Sequence, residues 1–154
     1  MADDEAERSI DELRTYFEQL PLHPEIRIAV QEAFDDDIDL VAAKAYLKVI
    51  TAVRKAADIS GELSGSELMR LAFDPEKGAL SDMDDELSDR EAIADLFAGA
   101  MGSYTIVTEN DEIFICGGLW SAEEAGEMLV LASYLMRLVE RHIEKRQLRL
   151  QTTS

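Results

Sequence analysis

The chain has 154 residues, of which 33 are acidic and 15 are basic, for a net charge of −18, and 47% of its residues are apolar. This composition excludes a chain that is disordered throughout, because it holds enough apolar residues to build the core of one domain. The negative charge also argues against direct binding to DNA or RNA, since that affinity depends largely on cations that meet phosphates.

Neither a disulfide nor a membrane segment is expected. The only cysteine is Cys116, and one cysteine cannot form an internal disulfide. The first residues lack the basic start and apolar run of a signal peptide. The longest apolar run, 128–136, is about half as long as a membrane-spanning helix. We therefore expect a cytoplasmic protein with a single acidic helical domain over 1–154.

Apolar residues at helical spacing recur along most of the chain. They predict helices at about 4–20, 24–34, 40–57, 66–73, 89–100 and 122–146. The third of these carries apolar residues on most of its circumference and is predicted to be central. We expect 81–89 to form a mobile acidic loop and 147–154 to form a frayed tail.

Four Ser-x-x-Glu sequences match the capping box, in which the serine oxygen and the glutamate carboxylate satisfy free amides at a helix start. Ser64, Ser88 and Ser121 precede apolar periodicity and predict helix starts, whereas Ser9 falls inside the first predicted helix. Pro24 suits the first turn of the second helix.

Two late segments are rich in β-branched and aromatic residues and predict strands at 104–108 and 112–116, with Asn110-Asp111 as the turn between them. An isolated hairpin is marginal in water, so this one must pack on helices or pair with another chain. The predicted fold is therefore mainly α (α+β): a helical bundle of about five to six helices with one late β-hairpin packed on a long C-terminal helix.

No pattern in the sequence singles out a catalytic or metal site. His23 and His142 lack the H-E-x-x-H spacing of zinc ligands, and Cys116 is best interpreted as a buried strand residue. The acidic run that starts at Asp82 places acids as a calcium-binding EF-hand loop does, but it lacks the glycine at the sixth place and the glutamate at the twelfth. We therefore predict no enzyme, no metal and no cofactor.

The uneven charge is the main indication of function. Residues 1–133 carry a net charge of −21, and residues 134–154 carry +3. Because a folded acidic surface attracts basic proteins, we predict a non-enzymatic acidic protein-binding module. Viral and prokaryotic DNA mimics that inhibit a basic nucleic-acid-binding protein are examples of this class. The residues predicted to contact the partner lie in two acidic runs and at the sole tryptophan: Asp35, Asp36, Asp37, Asp39, Asp82, Asp84, Asp85, Glu86 and Trp120.

Other interpretations stay open at this point. The protein is alternatively a small acidic chaperone, adaptor or assembly factor. The charge is alternatively an adaptation to a salt-rich cytoplasm, with which five lysines against ten arginines agree. The basic residues after 134 complement the negative end of a helix dipole, or they grip the acidic body of a second copy. A homodimer would form through the C-terminal helix or the hairpin.

Overall fold

A computed structural model of the protein describes residues 2–34, 38–61, 63–101, 105–107, 113–115 and 121–152. Six helices lie within these ranges: α1 (Ala2–Gln19), α2 (Pro24–Gln31), α3 (Ile38–Ala57), α4 (Gly65–Ala72), α5 (Leu87–Met101) and α6 (Ala122–Thr152). The predicted helical bundle is confirmed, and each predicted helix has a counterpart.

The centre of the bundle is α3, as its apolar circumference predicts. It packs on α6, α2 and α4, and it buries Val41, Tyr46, Val49, Ile50 and Val53. α1 packs on the opposite flank of α6, and α4 packs on α5. One connected apolar cluster runs through these contacts. No helix in the described residues is long and apolar enough to cross a membrane.

Local hydrogen bonds explain where several helices begin. Ser64 forms the complete predicted capping box with Glu67 at the start of α4. Ser121 precedes α6, and its hydroxyl accepts the Glu124 amide at 3.1 Å. Pro24 begins α2, as predicted. Ser88 lies inside α5 rather than before it, because α5 begins at Leu87.

The fold-class prediction is wrong in its β part. β1 (Thr105–Val107) and β2 (Ile113–Ile115) pair antiparallel over three residues each, and they are the extended segments that the structure describes. So short a ladder does not make an α+β fold. It lies mainly against α3 and α4 rather than on the C-terminal helix. The described chain is therefore a bundle of six helices, and the predicted turn Asn110-Asp111 lies outside the described residues.

Two further boundaries differ from the sequence prediction. The segment predicted as a mobile loop over 81–89 begins with two buried residues, Ser81 and Asp82, and its last residues belong to α5. α6 continues through residues 147–152 to Thr152, beyond the end predicted at Arg146. Lys145 donates to Asp82 and Arg149 donates to the Ser81 carbonyl, so the buried start of this segment is bonded to the end of α6.

Candidate partner-binding surface

The structure places the predicted contact residues in different environments. Asp35, Asp36, Asp37 and Trp120 lie outside the described residues. The remaining acids divide into half-buried, exposed and buried side chains. Asp39 and Asp85 are half-buried, Asp84 and Glu86 are exposed, and Asp82 is buried. Asp39 lies in the first turn of α3, where the positive end of the helix dipole stabilises a carboxylate.

Asp82 belongs to the interior rather than to a contact surface. Its side chain is 3% exposed, and Lys145 Nζ donates to its Oδ2 at 2.6 Å. The Asp84 amide donates to its Oδ1 at 3.1 Å. Burial raises the pKa of Asp82, but these two hydrogen bonds and the charges of Lys145 and Arg149 outweigh it, so the pKa lies below its usual value. Asp82 is therefore an ionised partner of α6, and its carboxylate is buried rather than exposed at the surface.

The basic end of α6 is bonded to the same chain. Arg146 Nη1 donates to the Ala56 carbonyl at 2.6 Å, and Arg149 Nη2 donates to the Ser81 carbonyl at 3.0 Å. With Lys145, these cations join the end of α6 to the end of α3 and to the 81–82 segment. Each of these three side chains thus donates at least one hydrogen bond within the bundle.

Two open grooves flank the first half of α6, and the sequence did not reveal them. The α1/α6 groove has a volume of about 490 Å³. Its lining residues are Tyr16, Gln19, Leu20, Glu123, Gly126, Glu127 and Val130. The α5/α6 groove has a volume of about 530 Å³. Its lining residues are Tyr46, Asp95, Leu96, Gly99, Ala100, Glu124, Met128 and Leu131. Each groove thus combines an apolar lining with carboxylates.

Carboxylates dominate the electrostatics of the α1/α6 groove. Tyr16 donates its hydroxyl to Glu123 Oε1 at 3.2 Å. This hydrogen bond and the negative charges of Glu123 and Glu12 raise the pKa of Tyr16. The pKa of Glu123 is lowered by its own backbone amide at the start of α6 and by the Tyr16 hydroxyl. Glu123 therefore stays ionised, and the rim of the groove is negative.

Exposed apolar side chains continue along the same part of α6. Val130 is 42% exposed and Tyr134 is 50% exposed. Leu96, which lines the α5/α6 groove, is 38% exposed. Large apolar side chains at an open groove are typical of protein-binding surfaces, where they supply most of the contact energy.

The exposed surface of the described residues is strongly acidic. Twenty acidic side chains are exposed, against eight basic ones. The other basic side chains are half-buried, and several donate to backbone carbonyls, as Arg27 does to Phe17 and Leu20. The net charge of the sequence is therefore expressed at the surface rather than neutralised inside.

One group with metal-ligand geometry occurs among the described residues. Ligand atoms of His23, Glu25 and Glu140 lie within 4.8 Å of one another. The Glu25 amide donates to His23 Nδ1 at 3.1 Å, so the proton is on Nε2, which donates to Glu140 Oε1 at 2.7 Å. The His23 amide also donates to Ser133 Oγ at 2.7 Å. Both ring nitrogens are engaged, and the group acts as a clamp that holds the α1–α2 connection on α6.

Ser81, Asp82 and His142 come together in the interior, but they do not form a catalytic arrangement. Each is at most 6% exposed, and the Asp82 carboxylate bonds Lys145. Ser81 Oγ and His142 Nδ1 have no hydrogen-bond partner in the described structure. Since a substrate would have to reach atoms this deeply buried, the geometry offers no accessible nucleophile here.

Comparison with known proteins gives one match. Residues 20–139 match the model of a family that is described as a protein of unknown function (Hypoth_ymh). The match includes every α6 residue that lines the two grooves. No curated protein and no solved structure matches the chain.

Proposed function

We propose that this chain, which belongs to the Hypoth_ymh family of unknown function, is a non-enzymatic acidic module that binds a basic protein. The observation that supports it best is the pairing of exposed carboxylates with open apolar grooves along the first half of α6. Carboxylates attract and orient a cationic partner. The apolar lining provides a surface from which water is displaced when the partner binds.

A protein fits this surface better than a nucleic acid does. Phosphates would be repelled by the exposed acids, and four of the five cations of α6 donate within the bundle. The partner class we propose is a nucleic-acid-binding protein, because such a protein gathers cations in a cleft. The module would then compete with nucleic acid for that cleft. The proposed compartment is the cytoplasm, since a single cysteine suits a reducing environment.

The test is affinity capture from a lysate of the source cell, with identification of the captured proteins. Capture is compared at about 0.1 M and about 1 M salt, because screening at the higher value removes most attraction between exposed charges. Melting curves of the module are recorded at the same salt concentrations. We expect a basic nucleic-acid-binding protein that is released by salt and displaced by added nucleic acid, while the module stays folded.

A control variant separates the surface charge from the fold. Replacing the exposed acids Glu5, Glu7, Glu12 and Glu127 with glutamine removes negative charge without touching the core. The variant should melt no lower than the native module, because self-repulsion is reduced, and it should capture less partner. A module that folds only in molar salt, or that captures equally well after these changes, would contradict the proposal.

A further inference from the structure

The floor of the α1/α6 groove contains a glycine that the fold does not require. Gly126 lies inside α6, where glycine costs about 1 kcal/mol relative to alanine. A Cβ atom added at Gly126 would have no heavy atom within 4 Å outside the adjoining turns of its own helix, so packing against other elements leaves room for at least a methyl group. The missing side chain leaves space along the groove, and such space allows the backbone of another molecule to approach closely.

The walls and rim around Gly126 form a stripe along α6. Glu123, Glu127, Val130 and Tyr134 follow one another at intervals of four and three residues, which places them on one side of the helix. The stripe is about 16 Å long at 1.5 Å per residue, which is about three helical turns. Across the groove, α1 contributes the Tyr16 ring, and Leu20 follows just after its end. An elongated occupant therefore matches the groove better than a compact ligand.

We propose that the α1/α6 groove binds a cationic amphipathic α-helix of the partner protein, an inference that rests on the proposed function. The apolar side of such a helix would cover Leu20 and Val130, and its lysines and arginines would meet Glu12, Glu123 and Glu127. Helices that lay an apolar face into a groove are a common mode of peptide recognition. The close approach that Gly126 permits suits a helix that lies along α6.

The alternative occupants carry the wrong charge or are already engaged. An acidic peptide or a nucleic acid would be repelled by the carboxylates at the rim. A second copy could offer the basic end of α6, but Lys145, Arg146 and Arg149 donate to Asp82, Ala56 and Ser81 of their own chain. The other two cations of α6, Arg137 and Arg141, are exposed, but two exposed acids, Glu140 and Glu144, lie beside them on the same helix. The charge complementarity thus favours a separate basic protein.

The probe for this site is a synthetic lysine–leucine peptide whose leucines follow a helical repeat. A peptide of the same composition with the leucine spacing scrambled is its matched control. Binding of both to the full chain is followed by fluorescence anisotropy, and backbone NMR shifts locate the contact. We expect the helical peptide to bind at least about tenfold more tightly than the scrambled one, which is about 1.4 kcal/mol. Shifts should concentrate at 12–20 and 123–134. Equal binding of the two peptides, or shifts centred on another surface, would overturn the inference.

Two variants with matched chemistry test the groove itself. Gly126→Leu fills the α1/α6 groove, whereas Ala92→Leu enlarges an exposed side chain of α5 that lines neither groove. We expect Gly126→Leu to weaken binding of the helical peptide by about tenfold or more, with no loss of melting temperature, and Ala92→Leu to leave binding unchanged. Unchanged binding in Gly126→Leu, or equal loss in both variants, would overturn the proposed site.

The same variants distinguish this inference from the proposed function. If Gly126→Leu still captures the basic partner from lysate, the module binds through another surface, and only the groove assignment fails. If the native chain captures no basic protein under any salt condition, the proposed function fails as well. Gly126→Ala provides a fold control, because alanine should raise the melting temperature while it adds only a methyl group to the groove.

Discussion

Residues 122–134 of α6 carry Glu123, Glu124 and Glu127 beside two open grooves, whereas residues 135–152 carry five cations, four of which donate to the same chain. On the proposed function, this difference divides two tasks along one helix. Charges at its end hold the bundle together, and charges at its start stay exposed, where they would meet the partner. The two halves should respond differently to substitution, in folding and in binding.

The largest expected effect on stability is at the basic end. Lys145→Ala leaves the buried Asp82 carboxylate without its closest cation. We expect a loss of about 2 kcal/mol, in the lower part of the range for hydrogen bonds to charged groups because Lys145 is partly in solvent. Urea unfolding measures the change. Lys44→Ala removes an exposed lysine from α3 and should cost less than about 0.5 kcal/mol; equal losses in the two variants would show that the pair does not stabilise the fold.

The comparison of the two halves also shows what could be predicted from the sequence. Helices were predictable because apolar spacing and local caps such as Ser64 depend on nearby residues. Asp82 was placed on the surface because its acidic neighbours suggested a loop. Its partner, Lys145, is 63 residues away in the sequence, and no local sequence pattern predicts a contact between residues so far apart. The hairpin was predicted on the wrong helix, because short β-rich segments do not reveal which surface they pack on.

The candidate binding surface illustrates the same limit. Net charge and acidic runs are visible in the sequence, but the grooves depend on how α1 and α5 flank α6. Gly126 lies near the start of the last predicted helix, inside a helical pattern. A glycine inside a predicted helix costs stability, and that cost is the signal in the sequence that could indicate the α1/α6 groove.

The second largest effect is expected at the start of α6, where Ser121 accepts the Glu124 amide. Ser121→Ala should cost about 1 kcal/mol, the usual value for a lost helix cap. The matched control is Ser88→Ala, because Ser88 lies inside α5 and does not precede it. Thermal unfolding measures both. A loss in Ser88→Ala as large as that in Ser121→Ala would contradict the assignment of the cap.

A smaller, pH-dependent effect is expected from His142 in the second half of α6. Burial is the largest influence and lowers the pKa of its imidazole, while a hydrogen bond with the Leu80 backbone and the charge of Asp82 only partly offset it. The unfolded chain, with a histidine pKa of about 6.5, therefore binds the proton first as pH falls. Stability should decrease as pH falls from about 7 through this range, and the decrease ends below the folded pKa.

The His142→Phe variant tests this dependence, because it keeps a ring edge-on to Phe73 but removes the titration. Free energies of unfolding are measured in urea between about pH 5 and about pH 8, the range that spans the ordinary histidine pKa. The two proteins differ only at this position, so the difference between their curves isolates His142. Parallel curves would show that His142 does not couple folding to pH.

The smallest effect on stability, and the sharpest contrast in function, is expected from matched charge removal in the two halves of α6. Glu127→Gln and Glu144→Gln each neutralise one exposed carboxylate on this helix, and each should change stability by less than about 0.5 kcal/mol. Of these two residues, only Glu127 lines the α1/α6 groove. Only the Glu127→Gln variant should therefore weaken binding of the helical peptide and reduce the salt dependence of that binding. If both variants weaken binding equally, attraction depends on total charge rather than on the groove, and the division of tasks along α6 does not hold. If Glu127→Gln alone weakens peptide binding, the position of the carboxylate decides the affinity, because the two variants have the same net charge and differ only in the position of the change.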